Sequence, residues 1–509
     1  MHRDYGVSWD EPTDHLNGMV NVKYIAGILA PEKIAQDPSA RLIPNFQNYR
    51  DNDHGVLFEI PVTLLSYLFI HHDSRAYFFL RHFCIFLVFI LGVWATYRIG
   101  TCWMRDWRWG MLAATLLVLS PRFFAEAFFN GKDIVFMALF ALAVHTLTRL
   151  VEHPTLGRAI WHGVATAAAI DVRLLAIILL PYTLGLLLLA ATQPGSARTL
   201  VWVAGVYLLS ASIVTVIGWP YLWANPVGNF LAAFQNLNHY PWQFTNLYMG
   251  RLLTVVGLPW HYVPVWIFIT TPLSYSLLAL GGISEVGWQL GRSGWRNVVA
   301  LPNRLNLLVV GWLLGPMVII VVLHSALYDT WRHLYFVYPA LVLLAARGTQ
   351  LVVGVATAPH PFLMRQLLLL LLILSGLETG FTVVRMVRMH PYEHLYYSFL
   401  SGATVERKFE RDYWALSFRQ GLAWLLARDH SSRIGISITW PSIHPLYNNT
   451  LILPATERAR IAYVPQHGRY FMTTYRWHPQ PYADSVGREI YTIRVEGIKI
   501  LSIFDSEAP

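Results

Sequence analysis

The residues that could do chemistry sit in three short segments. Ser8-Trp9-Asp10-Glu11-Pro12-Thr13-Asp14-His15 carries two adjacent carboxylates. Asn130-Gly131-Lys132-Asp133 sets a cation beside an acid. Leu327-Tyr328-Asp329-Thr330-Trp331-Arg332-His333 sets two cations behind an acid. A carboxylate can take the proton of an attacking hydroxyl or amine as a new bond forms. Asp10 is the candidate base, with Glu11 to orient the acceptor or tune Asp10. Lys132, Arg332 and His333 are residue types that hold phosphate. Each segment also has a plainer reading. Pro12 suits a first helical position, and Asp10 or Glu11 suits the cap before it. Lys132 and Asp133 can pair at a helix start. Arg332 and Trp331 can anchor a helix at a membrane surface. Arg173 and Arg251 are weaker phosphate candidates, and Asp171 stands close enough in sequence to Arg173 for a local ion pair.

The elements that must position these residues are membrane helices. The chain has 509 residues, 55% hydrophobic and only 13% charged, whereas a soluble domain carries roughly 25% charged residues. Apolar runs such as FCIFLVFILGVWATY and LNLLVVGWLLGPMVIIVVL approach the roughly 20 residues that span a hydrocarbon core. In lipid such runs must be helices, because their backbone groups have to pair internally. The spans are expected at about 78–100, 109–121, 134–151, 158–170, 173–192, 199–220, 262–284, 305–324, 331–350 and 365–385. The predicted fold is an α-helical polytopic membrane protein of about ten spans with a small C-terminal α/β domain. Short loops rich in arginine (Arg98, Arg105 and Arg108; Arg149 and Arg158; Arg198; Arg292, Arg296 and Arg304; Arg347 and Arg365) alternate with longer loops rich in acids and aromatics. The first set is placed in the cytoplasm and the second outside, which puts all three chemical segments on the outer side of a plasma or bacterial inner membrane.

Three regions result. Residues 1–77 form a first outer loop, 78–385 the membrane domain and 386–509 an outer α/β domain. An even number of spans puts residue 1 outside, yet residues 1–8 hold no signal peptide or span, so a preceding helix is expected to be missing. Residues 55–70 are apolar but short and contain Glu59 and Pro61, and are read as an interfacial helix. The stretch RDYWALSFRQGLAWLLARD reads as an amphipathic helix, and RIGISIT, RIAYVP, RYFMTTYR and EIYTIRVEGIKILSIF as strands. Cys84 and Cys102 lie at opposite ends of one helix, roughly 27 Å apart at about 1.5 Å per residue, so they cannot form a disulfide. The net charge of +9 comes mostly from loop arginines, and nucleic acid is not an expected partner. No metal-ligand spacing and no Gly-rich phosphate loop is present. No cofactor is required on this reading, and nothing supports a divalent metal.

The loop at 218–262 is dense in Trp, Tyr, Asn and Pro. Its Trp242, Trp260, His261 and Tyr262, with Asp133, are candidate substrate contacts, since aromatic faces and amides suit sugar rings and hydroxyls. The order of the segments carries more than any one of them. An acidic pair in the first outer loop is followed by a KD loop, then an aromatic loop ending LPWHYVPVWIFITTPL, then LYDTWRHLYFVYPAL, then HPYEHLYYSFLSG with RDYWALSFRQGLAWLL. This series resembles the bacterial relatives of protein O-mannosyltransferases and of the aminoarabinose lipid A transferase, over nearly the whole chain. The resemblance implies a GT-C fold and a sugar taken from a polyprenyl-phosphate donor at the non-cytoplasmic face. It implies inversion in one displacement, with membrane lipids around the chain and a glycan, lipid or protein as acceptor. It makes Asp10 the base with Glu11 beside it, and Lys132, Arg332 and His333 the donor-phosphate contacts; Arg173 is a candidate for the same role from its residue type alone. The alternatives are a polytopic transporter or lipid flippase, which would carry charges inside its spans, and a non-catalytic scaffold.

Overall fold

The computed structural model describes residues 1–70, 73–192, 197–238, 244–255, 257–359, 361–439, 443–465 and 468–508. Among the described residues seven helices are long and apolar enough to cross a membrane: Ser74–Met104, Asp133–Glu152, Leu174–Ala191, Ala197–Gly218, Leu301–Val322, Arg332–Thr357 and Phe362–Met389. The chain is an integral membrane protein. Phe362–Met389 turns Leu363, Leu367, Leu370, Leu374, Leu377 and Phe381 outward, as a lipid-facing helix does. Asp133–Glu152 sits at the centre, with most of its residues buried.

Three expected spans take other forms. The one at 109–121 is a bent pair, Trp107–Val118 and Pro121–Phe129, meeting at 68°. Pro121 has no backbone N–H to continue a helix, and the Ser120 hydroxyl at the bend lies 2.7 Å from both Leu116 O and Tyr338 Oη. The bend delivers Asn130 and Asp133 to the start of the central helix. The span at 158–170 is the helix Leu156–Val172, 17 residues long. The span at 262–284 divides at Thr271–Pro272 into Tyr262–Thr270 and Leu273–Val298, because the Pro272 ring starts a new helix rather than extending the old one. Residues 55–70 contribute an 11-residue helix, Glu59–Phe69, too short to span. It packs against Glu11–Leu29, with Gly18 facing the Glu59 turn.

Two short hydrogen-bonded structures lie outside the helical bundle. In the aromatic loop, β1 (Thr245–Tyr248) and β2 (Arg251–Thr254) form an antiparallel hairpin. Its turn residues Met249 and Gly250 have φ of 51° and 82°, the left-handed pair that a two-residue hairpin favours. Near the C-terminus, β3 (Ile434–Ile438), β4 (Ile461–Tyr463), β5 (Tyr470–Thr473), β6 (Arg488–Val495) and β7 (Ile498–Asp505) make a mixed sheet in the order β4-β3-β5-β7-β6. The amphipathic helix expected over 411–429 is confined to Phe418–Leu426. Residues 411–417 instead form a buried turn through Ala415, at φ 60°.

The sheet region does not stand apart from the N-terminus. Asn448 and Asn449 donate side-chain hydrogen bonds to the carbonyls of Ser8 and Val7, and Val7 N–H donates back to Asn449 Oδ1 at 3.1 Å. Tyr5, Phe128, Phe129, Tyr413 and Trp414 share one apolar cluster. The first ten residues are therefore held in place from both sides before the Glu11–Leu29 helix begins.

Helices Leu273–Val298 and Tyr338–Thr357 approach through glycines. A Cβ at Gly348 would lie 1.9 Å from Leu278 O, and one at Gly282 would lie 2.1 Å from Leu344 O. Small residues permit this backbone approach in membranes. Gly348→Ala is expected to lower the thermal unfolding temperature of detergent-solubilised protein, at a cost of about 1–3 kcal/mol from overpacking. Gly354→Ala, where nothing lies within 4 Å, should leave it unchanged or slightly raised.

Candidate functional site

The three chemical segments meet at Arg332. Its side chain is 3% exposed. It donates to Asp10 Oδ2 at 2.7 Å and to Asp133 Oδ2 at 3.4 Å, and it lies 3.4 Å from Asp329 Oδ2. Its guanidinium also stands 4.7 Å from the Trp414 ring and 5.2 Å from the Tyr328 ring. Asp133 is shared with Arg173, which donates to its other oxygen, and it is fixed by Asn130 through Nδ2 to Oδ2 at 3.0 Å and its own N–H to Oδ1 at 2.8 Å. Arg173 pairs here and not with Asp171, which accepts instead from Val56 N–H at 3.1 Å.

Asp10 occupies the cap position of Glu11–Leu29, but its side chain makes no cap hydrogen bond. The carboxylate is committed to Arg332. Burial pushes its pKa up, but Arg332, with Lys132 and Arg173 behind it, outweighs burial and holds it below the ordinary carboxylate value. Glu11 points elsewhere. It is 0% exposed, accepts from Ser8 N–H at 2.6 Å and lies 3.0 Å from His82 Nε2. That carboxylate braces the interior and does not face an acceptor.

Lys132 is partly exposed, and among the described residues no hydrogen bond or ion pair engages its ammonium. Its charge is felt by Asp10, Asp14 and His54. His54 sits 3.1 Å from Asp53, and Lys132 and then burial lower its pKa. His333 packs edge-on against Tyr328 at 4.4 Å. Its Nδ1, with Arg332 Nε, Arg173 Nε, Thr330 Oγ1 and Trp414 Nε1, is buried without a hydrogen-bond partner among the described residues. Buried polar atoms are nearly always paired, so this concentration of unpaired donor groups marks a place suited to an anion. Among the described residues no group of three or more His, Cys, Asp or Glu is placed to hold a metal ion.

The aromatic-loop residues divide. Tyr262 is buried against Tyr248 and Trp266 and serves the core. His261 Nδ1 lies 2.7 Å from Tyr248 Oη. Trp260 is 70% exposed, and Arg251 is exposed on the hairpin. Trp242 lies outside the described residues.

Four contributors were given no role by sequence reasoning, two of them inside the segments it singled out. Asp14 follows Asp10 by one helical turn, a spacing that shares a face. Asp329 precedes Arg332 by three residues. Trp414 comes from the buried turn at 411–417. Arg476 pairs with Asp329, donates to Tyr413 O at 2.8 Å and lies 4.9 and 4.5 Å from the Trp9 and Trp477 rings. Nothing local to RYFMTTYR marks it as a site residue. Asp329 and Thr330, at φ 55° and 70°, and Tyr475 and Trp477, at 63° and 62°, are all left-handed. Such residues cost about 1–3 kcal/mol each and persist where surrounding contacts over-determine them.

No protein-family profile matches the chain, and no curated protein sequence matches it. Solved structures do. The oligosaccharyltransferase of Archaeoglobus fulgidus in its apo form superimposes with a TM-score of 0.50 at 9% identity, over 82% of this chain and 57% of that one. The chain has the GT-C fold. It spans a little over half the length of that oligosaccharyltransferase. ArnT from Cupriavidus metallidurans matches with TM-scores of 0.49 in its apo state, at 14% identity over 97% of this chain and 94% of that one, and 0.48 bound to undecaprenyl phosphate, at 15% identity over 90% and 89%.

Removing Arg476 would leave Asp329 buried beside one cation instead of two. Breaking a buried pair from one side typically costs about 3–5 kcal/mol. Arg476→Met should therefore lower the unfolding temperature strongly. Arg494→Met, which removes an exposed pair with Glu406 worth about 0–1 kcal/mol, should scarcely move it.

Proposed function

We propose that the chain moves a sugar from a polyprenyl-phosphate donor to an acceptor hydroxyl or amine on the non-cytoplasmic face. The observation that carries this reading is Lys132. Among the described residues no hydrogen bond or ion pair engages this cation near Asp10, in a cluster where Arg173, Arg332 and Arg476 all have carboxylate partners. Asp10, Asp133 and Asp329 are each engaged by arginines, which leaves the Lys132 ammonium for a ligand's negative charge. A sugar phosphodiester carries one negative charge. The unpaired donor groups of Arg173, Arg332 and His333 suit its oxygens, and a fold shared with an oligosaccharyltransferase is in keeping with sugar transfer.

The chemistry follows from the placement. The acceptor oxygen attacks the anomeric carbon while the bond from that carbon to the phosphate oxygen breaks. Asp10, ionised at neutral pH because Arg332 stabilises its charge, takes the acceptor proton. Lys132, Arg173 and Arg332 neutralise the charge growing on the departing phosphate. The lipid chain keeps the donor at the membrane surface, so the reactants meet in a restricted geometry. The resemblance noted above favours inversion at the sugar carbon, in keeping with a single displacement.

Release of polyprenyl phosphate from a panel of labelled polyprenyl-phosphate sugars in membranes tests this. Asp10→Asn should slow release by about 10²–10⁴-fold, the usual span for a general base. Lys132→Ala should weaken retention of polyprenyl phosphate. Correctly inserted wild-type protein that releases nothing from any donor would overturn the proposal. Movement of labelled donor across the membrane without a new covalent product would point to a transporter.

A further inference from the structure

Arg81 lies on the Ser74–Met104 helix, with a side chain 0% exposed. Three carboxylates surround it. Glu59 from Glu59–Phe69 holds it two-pronged, with one contact at 3.0 Å. Asp14 Oδ2 lies 3.3 Å from its Nη2, and Glu11 Oε1 lies 3.7 Å from its Nε. One guanidinium cannot balance three charges in a buried setting. Glu11 has a second partner in His82, at 3.0 Å. Glu59 has the close two-pronged contact. Asp14 is left with a single, looser bond, and its side chain is the most open of the three, at 13% exposed against 1% and 8%.

Asp14 is also placed toward the reaction. It lies one turn after Asp10 on the same helix, with its N–H donating to Asp10 O at 3.0 Å. Asp10 and Asp14 both feel the charge of Lys132. The groups around Asp14 are Asp10 on its own helix, Glu59 and Arg81 from the packed helices, Lys132 from the loop before the central helix, and Tyr49, whose hydroxyl senses it and is buried without a partner among the described residues. Burial first, then the Glu59 charge, lifts Asp14 to about 7 against the opposing pull of Lys132 and Arg81.

We propose that Asp14 is a second acid–base residue, which gives its proton to the departing phosphate while Asp10 takes the proton of the acceptor. The idea rests on the polyprenyl-phosphate reading above. A phosphodiester donor carries one negative charge, and the monoester that leaves would carry two. Its second ionisation falls near pH 6, so a neutral carboxyl beside Lys132 has a proton to give at the moment the anomeric C–O bond breaks. One proton enters at Asp10 and one leaves at Asp14, so the pair ends each turnover with its protonation exchanged. A proton passing from Asp10 to Asp14 then resets the site. The low-lying and high-lying carboxyls divide the base and acid roles.

The test is steady-state turnover of the donor found active for the wild type, against pH, for the wild type, Asp14→Asn and Asp14→Glu. Asp14 must be protonated to act, so wild-type kcat should fall as pH rises above about 7. Asp14→Asn should lower kcat about 100-fold, leave KM within about twofold and abolish that alkaline fall. Asp14→Glu should restore both rate and fall. Binding of undecaprenyl phosphate by the Asn variant reports whether its site is intact. An Asn variant with wild-type kcat or an unchanged alkaline fall overturns the proposal. So does an Asn variant that has lost undecaprenyl phosphate binding together with a Glu variant that lacks the fall. A wild-type chain that turns over no donor overturns the underlying reading as well, whereas turnover with an indifferent Asp14 overturns this one alone.

Discussion

A guanidinium taken out of water must be repaid in charge and hydrogen bonds, and Arg332 sets that demand for the whole molecule. Desolvating an ion costs several kcal/mol even after relaxation. Here Asp10, Asp133 and Asp329 meet it on three sides, and the Trp414 and Tyr328 rings cover its faces. Those partners come from the N-terminal segment, the central membrane helix, a left-handed loop and the C-terminal region. None can move far without exposing a buried charge. The bend at Pro121, the unusual backbone at Asp329 and Thr330, and the clasp of Asn448 and Asn449 on residues 7 and 8 all serve to bring these groups to one guanidinium.

The membrane helices frame this point in two ways. Asp133–Glu152 is nearly enclosed by its neighbours, so Asp133 at its first turn is held with little freedom. Phe362–Met389 lies at the other extreme, with leucines on most of its surface, and leads into residues 390 onward. Close glycine packing between Leu273–Val298 and Tyr338–Thr357 fixes the helix that Arg332 opens.

Much of this was readable from residue type. The apolar runs predicted membrane helices because lipid leaves the backbone no other choice. Lys132, Arg173 and Arg332 were visible as cations at the ends of those runs and Asp10 as an acid in the segment before them, and the structure does gather them. What failed was direction. Glu11 is adjacent to Asp10 in sequence, but successive residues on a helix point about 100° apart, and Glu11 turned inward. Asp171 was two residues from Arg173, yet tertiary folding chose Asp133. Tyr262 looked like a ligand contact and became core. Asp14 could not be singled out, because its character comes from Glu59 and Arg81, which sit in segments that read as an interfacial helix and a membrane span. Arg476 lies in a run that reads as a strand, and only the fold brings it 147 residues back along the chain to Asp329.

That last pairing has a consequence for how the protein is made. Asp329 and Arg332 are synthesised well before Arg476, and residues 448 and 449, which hold the N-terminal segment, also come late. A nascent chain with every apolar helix already inserted still lacks the groups that brace the Arg332 loop. Assembly of the membrane region and assembly of the site are therefore separated in time, and a ribosome must pass residue 476 before the first ten residues acquire their final setting.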